Sequence, residues 1–247
     1  MEEIKNFLFV YDGLKELGRG GAEFFLKHCI KEVEKKGLFT AVLSGGKTPC
    51  RLYTALSSDE FRDKIPWDKV HLFWGDERPV GPGHPESNYS LADRALISKV
   101  DIPPENVHRI KGELEPSKAA LEYEDEIRRF FGVSRDEAPV FDLVFLGMGD
   151  DGHTLSLYPS TKALSEDRRL VVENYVGKLN AYRITMTLRL VNSASSIIFL
   201  VSGKGKSGVL RQALSDPKAG YPAQLVRPHT GEVRWFIDKD AASALAR

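Results

Sequence analysis

Along the chain, continuous apolar runs alternate with stretches whose apolar residues recur at helical spacing. Phe7-Leu8-Phe9-Val10, Leu38 to Leu43, Val70 to Trp74, Val140 to Leu146 and Ser196 to Val201 are the runs, each of the length and composition that fills a buried strand. Between the first two, Ala22, Leu26, Cys29, Ile30 and Val33 keep helical spacing, while Lys27, Lys31, Glu32, Glu34 and Lys35 occupy the other positions. Further helices are predicted from Ser87 to Ser98, from Pro116 to Phe131 ending at Gly132, and from Val209 to Leu214, with Asp101 to Pro104 as a connector. This alternation predicts an α/β fold with a largely parallel sheet flanked by helices on both faces. Arg183 to Thr187 and Val233 to Ile237 read as additional strands whose sheet partners the sequence does not assign. No repeat, Ser/Gly-rich linker or low-complexity tract divides the chain, so a single domain over residues 1–247 is expected.

Composition narrows the partners. With 35 basic and 35 acidic residues, no global field favours nucleic acid or an anionic membrane, so any phosphate binding must be local. Cys29 and Cys50 are the two cysteines, and Met1 to Asn6 lacks the basic, apolar, small-residue plan of a secretory leader, which points to a reducing, cytoplasmic compartment. The longest apolar runs, such as Ile197 to Val201, are too short to span a bilayer. No membrane partner is expected.

In open α/β sheets ligands bind beyond the carboxyl ends of the strands, and four such strand ends carry chemistry here. Ser44-Gly45-Gly46-Lys47-Thr48-Pro49 is a glycine turn into a helix start, suited to cradling an anion on backbone N–H groups. It is not a nucleotide P-loop, because that motif needs a glycine where Ala41 stands, inside the strand. After Trp74 come Gly75-Asp76-Glu77-Arg78-Pro79, which can present a carboxylate and a guanidinium to one pocket, or else form a surface charge cluster. The third turn, Gly147-Met148-Gly149-Asp150-Asp151-Gly152-His153-Thr154, satisfies the dinucleotide fingerprint in spacing only. Asp150 and Asp151 would repel a pyrophosphate, and Pro159 interrupts the helix that should follow. The better reading exposes His153, a side-chain type that titrates near neutrality, with Asp151 close enough to orient it. The fourth, Ser202-Gly203-Lys204-Gly205-Lys206, places Lys206 at the start of a helix, where it suits a phosphate as a point charge. For the glycine turns and the lysine, a plain turn and a solvated side chain are the competing accounts.

Other chemistries find no support. His28, His71, His84, His108 and His229 show no metal-ligand spacing, and two separate cysteines make no zinc site, so no metal is expected. No Gly-x-Ser-x-Gly elbow supplies a covalent nucleophile.

In order and across nearly the whole chain, these turns resemble the 6-phosphogluconolactonase family. The residues that carry the resemblance are Ser44 to Pro49, Phe73 to Arg78, Ser87-Asn88-Tyr89, Gly147-Met148-Gly149 with Asp151-Gly152-His153-Thr154, Ser156-Leu157, Pro159, Arg183-Ile184-Thr185, Gly203 with Lys206, and Trp235 to Asp238. The resemblance implies the isomerase-like α/β fold shared with glucosamine-6-phosphate deaminases, hydrolysis of a phosphorylated sugar lactone in the pentose phosphate pathway, and no cofactor. By the same resemblance His153 is the base that activates water, Asp151 its neighbour in the catalytic set, and Arg78 the positioner of the lactone end. Ser44, Gly45, Gly46, Lys47, Thr48, Asp76, Arg183 and Lys206 are expected to bind the substrate and its phosphate. The partner is then a small sugar phosphate lactone, and the chain a monomer or small homo-oligomer.

Three positions depart from the family pattern: Asp150 stands where proline is usual, and Leu155 and Tyr158 replace a small residue and Phe. An extra carboxylate at Asp150 is expected to bear on the pH optimum. Two rivals remain. A deaminase or isomerase on the same fold would use a carboxylate beside a carbonyl, and that family typically shows Asp-Glu-Tyr where this chain has Asp76-Glu77-Arg78. A catalytically silent sugar-phosphate binder would keep the phosphate grip and gain nothing from His153.

Overall fold

Every apolar run of the sequence enters a strand in the computed structural model, which describes residues 7–245. The segment Met1 to Asn6, read above for its lack of a leader pattern, lies outside the described residues. The chain runs β1 (Leu8–Tyr11), α1 (Leu14–Lys36), β2 (Phe39–Leu43), α2 (Lys47–Leu56), β3 (Val70–Trp74), β4 (Asp76–Glu77), α3 (Asn88–Ala95), β5 (Val107–His108), α4 (Pro116–Phe131), β6 (Leu143–Leu146), β7 (Val171–Val176), β8 (Ala181–Met186), α5 (Leu188–Val191), β9 (Ser196–Val201), α6 (Ser207–Ser215), β10 (Glu232–Asp238) and α7 (Lys239–Ala242).

Seven strands pair in parallel in the order β1-β10-β9-β6-β2-β3-β5. From β2 the chain winds outward through β3 and β5, and from β6 it winds the other way through β9 and β10. The crevice between β2 and β6 is therefore where the winding reverses, the place an open α/β sheet offers to a ligand. β2 is buried along its whole length, as a central parallel strand covered on both faces must be. Phe25 of α1 meets Phe39 edge-on with ring centroids 5.1 Å apart, and burying a ring of this kind contributes about 1.5–3 kcal/mol.

A second, antiparallel sheet, β4-β8-β7, stands apart from the main one. It receives the late strand read at Arg183 to Thr187, while Val233 to Ile237 falls inside β10 between β9 and β1. The run from Val140 begins its strand only at Leu143, because the Asp142 carboxylate turns back on β2. It accepts from Thr40 N and Oγ1, both at 2.8 Å, and from Lys36 Nζ at 2.6 Å. The first helix is longer at both ends than its apolar stripe. Its early glycines are where α2 comes close: a Cβ on Gly18 would lie 2.9 Å from the Arg51 backbone.

Candidate active site

Turns leaving β2, β3, β6 and β9 converge with β8 on a cleft of about 400 Å³ over the reversal point. Every site residue expected from the sequence lines it except Asp151, which stands behind His153.

The first turn is built by close approach. A Cβ on Gly45 would fall 1.8 Å from Asn88 Oδ1, and Gly46 takes φ 107°, a conformation that favours glycine. The first backbone bond of α2 runs from Cys50 N to Gly46 O at 3.2 Å, so the amides of Lys47 and Thr48 precede the helical ladder, at the positive end of the helix dipole. Ser44 behaves differently from a free ligand donor. Its hydroxyl donates to Phe145 O at 2.7 Å, tying β2 to β6, and leaves only acceptor lone pairs for a substrate. Its backbone is clamped by the buried Tyr53 hydroxyl, whose pKa burial drives upward.

After β3 the three charged residues part company. Glu77 is buried and accepts from Arg78 N, Asn88 N, Ser87 Oγ and Tyr89 N at 2.7–2.9 Å, fastening the start of α3. Burial still leaves its pKa above the ordinary value despite those donors. Asp76 accepts from Ser156 Oγ at 2.6 Å and from Asn88 Nδ2 at 3.2 Å, bridging this turn to the third. Arg78 reaches the cleft and donates to Glu86 O.

The third turn aims the imidazole. Gly149 N donates to His153 O at 2.8 Å, and a Cβ on Gly149 would lie 2.0 Å from His153 Nδ1, so the ring folds over a position only glycine can hold. His153 Nδ1 meets Asp151 Oδ1 at 2.5 Å, and the same oxygen accepts from His153 N at 3.2 Å. Burial pushes the Asp151 carboxyl up, but hydrogen bonds from Lys178 and His153 outweigh it and hold the group well below the usual carboxylate range. An ionised carboxylate only accepts, so Nδ1 carries the hydrogen and the neutral ring keeps its lone pair at Nε2. That is the tautomer a base toward water needs. Tyr158 stacks on the ring with centroids 4.0 Å apart.

Arg183 of β8 and Lys206 before α6 supply the remaining cations, and Arg183 Nη1 donates to Tyr182 O at 2.8 Å. Asp150 pairs with Lys206, so its carboxylate acts on that cation of the cleft. Sequence reasoning passed over this pair, the Tyr158 stack and Lys178. The two ion pairs join residues 56 and 27 positions apart, and at a separation of five residues no helical or strand period links Tyr158 to His153. Among the described residues no group of three His, Cys, Asp or Glu side chains gathers as a metal site.

Fold and site together define a doubly wound α/β protein whose reversal-point cleft sets a glycine turn at a helix start beside a carboxylate-backed imidazole. Residues 13–235 match the family described as glucosamine-6-phosphate isomerases/6-phosphogluconolactonase, and the chain belongs to that family. It is 43% identical to the 6-phosphogluconolactonase of a Nostoc species over 218 residues, covering 87% of this chain and 88% of that one. Among solved structures it resembles one described as devB protein, with TM-score 0.88 and 32% identity over 96% of this chain and 98% of the other. The 6-phosphogluconolactonase of Trypanosoma cruzi gives TM-score 0.85 and 29% identity over 97% of each chain.

Proposed function

We propose that this protein hydrolyses 6-phospho-D-glucono-1,5-lactone to 6-phosphogluconate, with water activated by His153. The observation that carries the reading is His153, backed by Asp151 at 2.5 Å and lining the same cleft as the turn Gly46 to Thr48 with Arg183 and Lys206. The amides at the start of α2 and the two cations hold the phosphate, which displaces Asp150 from Lys206. With the far end fixed, the lactone carbonyl is presented to His153. Nε2 takes a proton from water as the oxygen attacks C1, and Nδ1–H stays on Asp151. Arg78 faces the oxyanion that develops at C1. When the C1–O5 bond breaks, the proton held on Nε2 passes to the ring oxygen, which leaves as the 5-hydroxyl and restores the neutral imidazole.

The deaminase alternative needs a carboxylate free to move a proton beside a carbonyl. Glu77 is occupied by four donors and Asp76 is held by Ser156 and Asn88, which favours the lactonase. The curated relatives at 35–43% identity that carry the name 6-phosphogluconolactonase support the same choice. The reading extends to a cytoplasmic setting and a monomer or small homo-oligomer. Unpaired Cys29 and Cys50 accord with a reducing compartment, and among the described residues no helix is long and apolar enough to cross a membrane.

The test is hydrolysis of freshly generated 6-phosphogluconolactone, with the spontaneous rate subtracted and unphosphorylated gluconolactone alongside. Acceleration confined to the phosphorylated lactone is expected. Turnover of glucosamine 6-phosphate without lactone hydrolysis would replace the reading with the deaminase, and binding without turnover of either would replace it with the silent binder.

A further inference from the structure

The Asp151 carboxylate serves two different partners. Oδ1 faces the ring and backbone of His153, while Oδ2 pairs with the ammonium of Lys178. Lys178 belongs to the turn Gly177–Leu179 between β7 and β8, closed by Asn180 in the left-handed region at φ 47°. Its ammonium also lies 4.6 Å from the centre of the Tyr158 ring, the ring that stacks on His153. Lys178 thus touches both groups that hold the imidazole, yet it does not line the cleft.

We propose that Lys178 is a positioning residue of this site, acting from the antiparallel sheet through Asp151 and Tyr158 to aim His153. The inference rests on His153 being the base. A carboxylate anchored at its outer oxygen cannot rotate away from the ring, so Oδ1 stays on Nδ1 and the Nε2 lone pair stays on offer. The ammonium also offsets the Asp151 charge, which would otherwise favour the protonated ring. Arg183 of β8 and Asp76 of β4 are charged groups that line the cleft together with Tyr158.

Half of the Lys178 side chain is exposed, and a pair that wet adds little to stability, which separates a positioning role from a structural one. Lys178→Met is expected to leave Tm nearly unchanged and to lower kcat on the phosphorylated lactone by about tenfold to a hundredfold, the loss that a small misplacement of a reacting group produces. KM stays near wild type, the acidic limb of the rate–pH profile moves to higher pH, and Lys178→Arg recovers most of kcat and restores the limb. Wild-type kcat and pH profile in Lys178→Met would overturn the inference. So would a raised KM at unchanged kcat, which would make Lys178 a substrate grip. An inactive wild type would overturn the lactonase reading with it, whereas an active wild type and an unaffected Lys178→Met overturn this inference alone.

Discussion

Replacing Asp151 by asparagine removes the carboxylate charge that backs His153 while keeping a side chain of the same shape. One carboxylate oxygen now accepts from His153 Nδ1 and N, while the other pairs with Lys178. An asparagine has one oxygen and one amino group, so one side must set donor against donor. Lys178 is half exposed and can swing into water, whereas His153 is about three-quarters buried, so the oxygen settles on the ring and the amino group turns to Lys178. The tautomer survives; what is lost is the charge, and with it the Lys178 anchor that acts through that charge. At an effective dielectric near 20, opposite charges about 4 Å apart attract by about 4 kcal/mol, and partial exposure together with incomplete charge development on the ring reduces this to about 2–3 kcal/mol. Asp151→Asn should therefore lower kcat by about thirty- to a hundred-and-sixtyfold with KM little changed. Initial rates on fresh lactone, corrected for spontaneous opening, measure it. In the serine-protease triad the corresponding swap costs about 10⁴ because the tautomer inverts. A loss that large here would mean the amino group faces the ring, and an unchanged kcat would refute the charge argument altogether.

Lys206→Ala should raise KM for the phosphorylated lactone by about tenfold to a hundredfold, the worth of a charge-assisted hydrogen bond, while leaving hydrolysis of unphosphorylated gluconolactone unaffected. Steady-state kinetics on the two lactones checks this. His71 on β3 meets His108 at 3.1 Å, and burial followed by the neighbouring imidazole pushes its pKa down to about 4 from 6.5. The folded state then holds fewer protons than the unfolded state between these values. The stabilisation is full above about 6.5 and is lost as pH falls toward 4. Thermal unfolding across that window should show Tm falling with pH, with a shallower fall in His71→Gln. Equal slopes in the two proteins would remove His71 from the account.

The parallel core was legible because central strands lie in continuous apolar runs: Val70 to Trp74 and Ser196 to Val201 match their strands residue for residue. Of the antiparallel sheet only β8 was legible, as the run Arg183 to Thr187 with no partner assigned. In β7, Glu173 and Tyr175 point outward, but Asn174 points inward and hydrogen-bonds Ser156 O at 2.8 Å, so a polar residue on the buried face hides the strand's alternation. Of the cleft, the glycine turns and His153 stood out because strand ends concentrate glycine and charge. What the sequence withheld lies in the partners. The Ser44 hydroxyl is taken up by Phe145 O, Asp150 goes to Lys206 rather than to His153, and Lys178 reaches Asp151 from a turn that reads as an ordinary solvated lysine. The second sheet brings that turn against Asp151 and Tyr158.

The most direct test compares wild type with His153→Ala on freshly generated 6-phosphogluconolactone, spontaneous opening subtracted, with KM measured in both. Loss of a general base predicts that kcat falls by about 10²–10⁴ while KM stays near wild type. Equal rates in the two proteins would contradict the assignment of His153 as the group that activates water.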